Sequence, residues 1–134
     1  MENQYLDDST LKELIRKIST SKSAESKDDL DILNDAISSF HAYVDTVIRG
    51  ETKLLIHGNS LQGQEYRDAV TQYDQNRHGC HETVIINARI LNRLALKHGL
   101  QPVYKGDDTQ RHQVADFCFE LDSYLFRNRR MKLS

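Results

Sequence analysis

Helix breakers are scarce in this chain, and that scarcity limits what it can fold into. Proline occurs once, at Pro102, and the glycines stand only at positions 50, 58, 63, 79, 99 and 106. Between them run long stretches whose apolar residues recur every three or four positions, the spacing of helices with one buried face. The pattern predicts an all-α fold: an antiparallel helical bundle of three to four helices with a short N-terminal helix. At 134 residues the chain is one domain, at most one with a short arm, and large enough to bury a core without covalent staples.

Leu11, Leu14, Ile15 and Ile18 mark the short first helix, with Ser9 or Thr10 as the expected N-cap. Residues 19–27 are too polar to pack and read as a flexible linker, so the expected division is 1–27 for the N-terminal helix and linker and 28–134 for the bundle. A second helix starts near Asp28 and Asp29 and carries a stripe of Leu30, Leu33, Ile37, Phe40, Val44 and Val47, running on toward Leu54 and Leu55. Gly50 is a candidate bend, and Gly58 with Asn59 a candidate stop. The third helix runs from Glu65 to about His98, where Gly99, Leu100 and Pro102 spell a Schellman stop. Residues 103–107 read as an extended connector. Asp107, Asp108 or Thr109 is the expected cap of a last helix bearing Val114, Phe117, Cys118, Leu121, Tyr124 and Leu125 on one side. Phe119 and Phe126 lie on its other side, either covered by the chain itself or serving a homo-oligomer interface.

With 18 basic against 20 acidic residues the net charge is −2, a balance that argues against a general nucleic-acid or membrane-surface binder. Apolar runs never exceed three residues, too short for a membrane span or a signal-peptide core, so a cytoplasmic location is expected. Cys80 and Cys118 are far apart and form no CxxC, consistent with reduced thiols. The basic stretch at residues 127–132 reads as a solvated helix end. The acidic group at Asp28, Asp29, Asp31 and Asp35 lacks the pattern of a calcium loop.

The third helix is chemically unusual. Steps of four and three from Tyr66 pass through Val70, Tyr73, Arg77, Cys80, Val84, Asn87, Leu91, Leu94 and His98, so Arg77 and Asn87 interrupt an apolar seam. A guanidinium in a bundle core is costly unless paired, and Asp74, His81 and Glu82 stand within a helical turn or so. Arg89, Arg93 and His78 complete a dense titratable cluster. One reading is a buried ion-pair network that fixes helix register. The other places Arg77, aided by His81, Arg89 or Arg93, beside a cavity that binds an anion, since the guanidinium fork matches carboxylate or phosphate.

Known catalytic spacings fit poorly. His78-x-x-His81-Glu82 has neither zinc-protease order, and Gly58-x4-Gly63 is followed by Gln64-Glu65 instead of the phosphate-loop lysine. Paired Glu-x-x-His motifs for a di-iron site are missing, so no metal or cofactor is expected. Arg93 and His98 have the spacing of the catalytic pair of HEPN-type ribonucleases, although Leu94 follows the arginine where that group usually has a polar residue. This leaves an RNA-cleaving alternative.

Tyr66 to Val70, Asp74-Gln-Asn-Arg77, His81, and Leu91-Asn92-Arg93-Leu94 also resemble a family of small bacterial all-α proteins known only as a domain of unknown function. Gly99-Leu100-x-Pro102-x-Tyr104-x-Gly106, Arg111 and Val114-Ala115-Asp116 continue the resemblance, which covers roughly residues 30–130. It implies a compact helical fold and a shared polar set of Asp74, Arg77, His81, Asn92, Arg93, Tyr104, Arg111 and Asp116. The chain departs from the family pattern at Asn76-Arg77 and Glu82. Arginines for phosphates, an aromatic ring for a base and carboxylates for hydroxyls suit a nucleotide-like ligand. The function expected is therefore non-enzymatic binding of an anionic nucleotide-like molecule, in the manner of phage or mobile-element proteins that sequester nucleotide immune signals. A protein-binding or structural bundle is the alternative.

Overall fold

The computed structural model of the chain describes residues 3–21, 23–57 and 63–127. Four α-helices follow one another: α1 (Asp8–Thr20), α2 (Ala24–His57), α3 (Gln64–Lys97) and α4 (Arg111–Asp122), the last widening into a π-helical turn, Ser123–Arg127. The chain is an all-α helical bundle, as its spacing predicts. Asp29 of early α2 meets Lys97 at the end of α3, while Gly50 of late α2 packs against Tyr73 of early α3, so the two long helices run antiparallel.

Helix ends follow local chemistry, with three departures from the sequence reading. Asp7, not Ser9 or Thr10, caps α1, its Oδ1 accepting from the Thr10 N–H at 3.1 Å. Helix α2 begins at Ala24, four residues ahead of Asp28, because Ala, Glu and Lys there favour a helix even though their side chains have nothing to pack against. Helix α4 is preceded by Gln110, which makes no side-chain cap. Asp107 instead accepts from the Thr109 N–H and hydroxyl, closing an Asx turn before the helix starts. The stop of α3 is as anticipated: Gly99 takes φ +75°, and Leu100 N–H reaches Ala95 O at 2.9 Å in a Schellman motif. Helix α2 runs unbroken through Gly50. A Cβ there would collide with the Tyr73 ring, so the missing side chain makes room for the neighbour. The candidate stop at Gly58 and Asn59, the side chains of Leu55 and Phe126, and most of the basic C-terminal stretch lie outside the described residues.

Leu11, Leu14 and Ile18 of α1 share one core with Leu33, Phe40 and Val44 of α2, Val84 and Leu91 of α3, and Val114, Phe117 and Leu121 of α4. Phe117 sits at its centre, edge-to-face with Phe40 at 5.3 Å and with Tyr104 at 4.9 Å. Phe119 is half-buried against this same core. Ahead of α1, Leu6 forms an isolated antiparallel bridge with Tyr104. Asp7 N–H donates to Val103 O and Lys105 N–H to Tyr5 O. Nothing in the sequence pattern announced this pairing.

Length decides where the core stops. At 1.5 Å per residue, α2 and α3 are each about 50 Å long, whereas α1 and α4 reach only about 20 Å. Core residues accordingly end at Val47 in α2 and begin at His81 in α3 among the described residues. Beyond that level the seam continues without covering helices: Tyr66 is 46% exposed, Val70 and Tyr73 are half-buried, and Arg77 is exposed. Arg77 is thus not in the bundle core, the place its spacing gave it, because it lies at the edge of the four-helix body, where only the start of α4 comes near and leaves it exposed. Among the described residues no helix is long and apolar enough to cross a membrane.

One ionic cluster locks the opposite end. The Asp29 side chain, 4% exposed, accepts from Lys97 Nζ and meets His98 Nε2, each at 2.9 Å. Lys17 donates to the His98 carbonyl, tying in α1. Burial alone would raise the Asp29 pKa, but the bonds to Lys97 and His98 hold it below the ordinary carboxylate value. A depressed native pKa contributes stability above the unfolded pKa and loses it as pH falls through the native one. Asp29→Ala should therefore cost about 1–2 kcal/mol near neutral pH, shrinking as pH falls below about 4. Urea unfolding of both proteins at neutral and acid pH checks this.

Candidate functional site

The cavity that gathers polar side chains lies where the four-helix body gives way to the bare α2–α3 pair. It has a volume of about 320 Å³ and is lined by Tyr43 from α2, by Arg77, His78 and His81 from α3, and by Arg111, His112 and Ala115 from α4. The spacing on α3 explains the grouping. Arg77 and His78 stand four and three residues before His81, so both flank it one turn away. Arg111, His112 and Ala115 repeat the same one-and-four spacing on the first turn of α4.

His81 is the buried member, only 7% exposed, and its Nε2 has no hydrogen-bond partner. The Tyr43 ring lies 5.6 Å from the imidazole. Burial first, then the charges of Arg111 and Arg77 and the neighbouring His78, push the His81 pKa below its ordinary value, against a raising backbone hydrogen bond at Arg111. Burial likewise pushes the Tyr43 hydroxyl up to about 12. His81 is therefore neutral near pH 7 and Tyr43 protonated. Arg111 donates from Nη1 to His78 Nδ1 at 3.2 Å, and Arg77 lies over the Tyr73 ring, 5.7 Å from its centroid.

Among the described residues no acid lines this cavity. Among the described residues no carboxylate forms an ion pair with Arg77 or Arg111. The network reading, in which Asp74 or Glu82 neutralises Arg77, is thus not what the structure contains. Helix α4 sharpens the imbalance. Its first turn holds no acidic residue and its N-cap no side-chain bond, so Arg111 and His112 stand at the positive end of the helix dipole. Cations there oppose the dipole, which itself favours a negative charge beside the helix start. The arrangement is complementary to an anion.

Of the residues singled out from sequence, Arg77, His81 and Arg111 meet at this cavity. The others go elsewhere. Arg89 pairs with Asp108 at 2.7 Å. Asn92 clamps the connector, its Nδ2 donating to Tyr104 O and its Oδ1 accepting from Tyr104 N–H. Tyr104 is buried and donates its hydroxyl to Asp107 O. Asp74, Arg93 and Asp116 are exposed and do not line the cavity. Asn87 donates to Thr83 O on its own helix. His98 is engaged by Asp29, and neither it nor Arg93 is among the described residues lining the cavity. Sequence reasoning missed Tyr43 and His112, named Ala115 only within the family resemblance, and counted His78 in the titratable cluster and in a rejected zinc spacing. The Arg111-His112 pair opening a helix without an acid is the signal that could have brought α4 into the site.

Among the described residues no group of three or more His, Cys, Asp or Glu side chains stands close enough to hold a metal ion. A second hollow of about 250 Å³ lies farther out between α2 and α3, lined by Thr46, Arg49, Gly50, Leu54, Ala69, Gln72, Tyr73 and Asn76.

A buried imidazole nitrogen without a partner costs about 1–3 kcal/mol. His81→Leu should therefore raise the melting temperature of the ligand-free protein. Because the native His81 pKa is depressed, the wild type loses stability as pH falls below the unfolded value of about 6.5, and the advantage of the leucine should widen there. Calorimetric melts at pH 7.5 and 5.5, chosen as roughly one unit either side of that pKa, measure both effects.

A family model described as "Protein of unknown function (DUF3232)" matches residues 4–131. The match takes in α1, which the resemblance over residues 30–130 left out. No curated protein and no solved structure matches the chain.

Proposed function

This chain belongs to the DUF3232 family, and we propose that it is a non-enzymatic binding protein whose α3–α4 cavity takes a small anionic, nucleotide-like ligand by its phosphate. The observation that carries this reading is His81, whose buried Nε2 has no partner, lining a cavity with two guanidiniums, an uncapped helix start and, among the described residues, no carboxylate. Such a site is expensive to leave empty and inexpensive to fill with an anion. About 320 Å³ is at the small end of ligand pockets, which favours a mononucleotide-sized molecule over a polymer. Tyr104, Asp74 and Asp116, which the resemblance offered for a base and hydroxyls, are not in the cavity. The Tyr43 ring is the aromatic surface that remains for the body of the ligand. Sequestration of a nucleotide signal on behalf of a phage or mobile element is the role this chemistry would serve.

The test is differential scanning with phosphate, mononucleotides and cyclic nucleotides. A ligand at a hundred times its Kd stabilises by about 2.7 kcal/mol, which should raise the melting temperature by several degrees. Arg77→Ala and Arg111→Ala should abolish the shift while retaining the helical circular dichroism spectrum. If no member of the panel stabilises the wild type, the protein is a scaffold and the binding reading is wrong.

A further inference from the structure

The groups facing His81 come from three helices: Tyr43 from α2, Arg77 and His78 from α3, and Arg111 and His112 from α4. None is an acid. While the cavity is empty, both guanidiniums repel a proton from the imidazole, and its Nε2 remains buried without a partner. An anion seated among these groups reverses both conditions. It screens His81 from the guanidiniums and offers Nε2 an oxygen to which an N–H can donate.

We propose that the cavity is a proton-coupled receptor for a tetrahedral oxyanion, in which His81 takes up a proton as the anion binds and donates it from Nε2 to an anion oxygen. This rests on the anion-binding reading above and adds its ligand class and its regulation. The oxyanion is a dianion, a terminal phosphate monoester or free sulfate, since two guanidiniums and one newly made imidazolium face it with no carboxylate among the described lining residues to share their charge. A phosphodiester, with a single negative charge, is the poorer match. The coupling makes the site release its ligand as pH rises. His78 stands apart from this role, because its Nδ1 already accepts a hydrogen bond from Arg111.

Sulfate is the probe, since its charge does not change across the working pH range. Between the His81 pKa of the free protein and that of the complex, the sulfate Kd should rise toward about tenfold per pH unit. In a His78→Gln/His112→Gln background, titration calorimetry in two buffers of different ionisation enthalpy should show uptake of up to one proton per sulfate bound. Adding His81→Gln, which keeps an amide donor but cannot titrate, should remove that uptake. NMR titration of the His81 ring in the wild type provides a measurement free of substitutions, and sulfate should move its pKa upward. Methyl phosphate should compete with sulfate more strongly than dimethyl phosphate. Sulfate binding with an unmoved His81 pKa, or with proton uptake intact after His81→Gln, overturns the proton coupling and leaves the anion site standing. Equal competition by the two phosphate esters overturns the dianion preference. Failure of sulfate and both esters to bind at any pH removes the anion site itself.

Discussion

The edge-to-face packing of Phe117 between Phe40 and Tyr104 is the contact from which the rest of the arrangement follows. A helix of only 12 residues has little intrinsic stability and is held by what it buries. Burying Phe117 together with Val114 and Leu121 lays α4 against α2 and α3 and sets its first turn beside His81. The cationic cavity is therefore a by-product of core packing: one side of α4 is chosen by the aromatic cluster, and the residues at its start then have no freedom to avoid Arg77.

That position is electrostatically unfavourable, and the sequence does nothing to relieve it. Elsewhere the chain places its charges sensibly. Asp8 stands in the first turn of α1, Lys97 in the last turn of α3, and Arg89 beside Asp108. Around His81, by contrast, cations accumulate at a helix start with no acid among the described lining residues. Local rules agree with one another across most of a folded protein and are broken where a chain has some other use for the energy. The contrast between a well-ordered charge pattern and one disordered corner is the physical basis for reading that corner as a binding site.

Much of the architecture was legible in the spacing of apolar residues. The α3 stop at Gly99 and the stripes through Phe40 and Leu91 could be read directly, because each depends on neighbours within a turn or two. What depended on distant partners could not. The seam through Tyr66, Tyr73 and Arg77 looked like core because periodicity records which face a residue takes, whereas burial depends on whether another helix reaches that level. The site was half legible for the same reason. Arg77 and His81 share a helix and announce each other by spacing. Arg111 entered only through a family resemblance, and Tyr43 adjoins the α2 stripe with no mark to distinguish it. Asn92 and Tyr104, grouped in the resemblance as parts of a polar set, meet at the connector, which they fasten to α3.

The Leu6–Tyr104 bridge also carries a consequence for biogenesis. Its two partners are separated by most of the polypeptide, and synthesis proceeds from the N-terminus. The segment around Leu6 is thus made well before Tyr104 and can pair with it only once α2, α3 and the connector have emerged. Until then the apolar side of α1 has only part of its eventual cover.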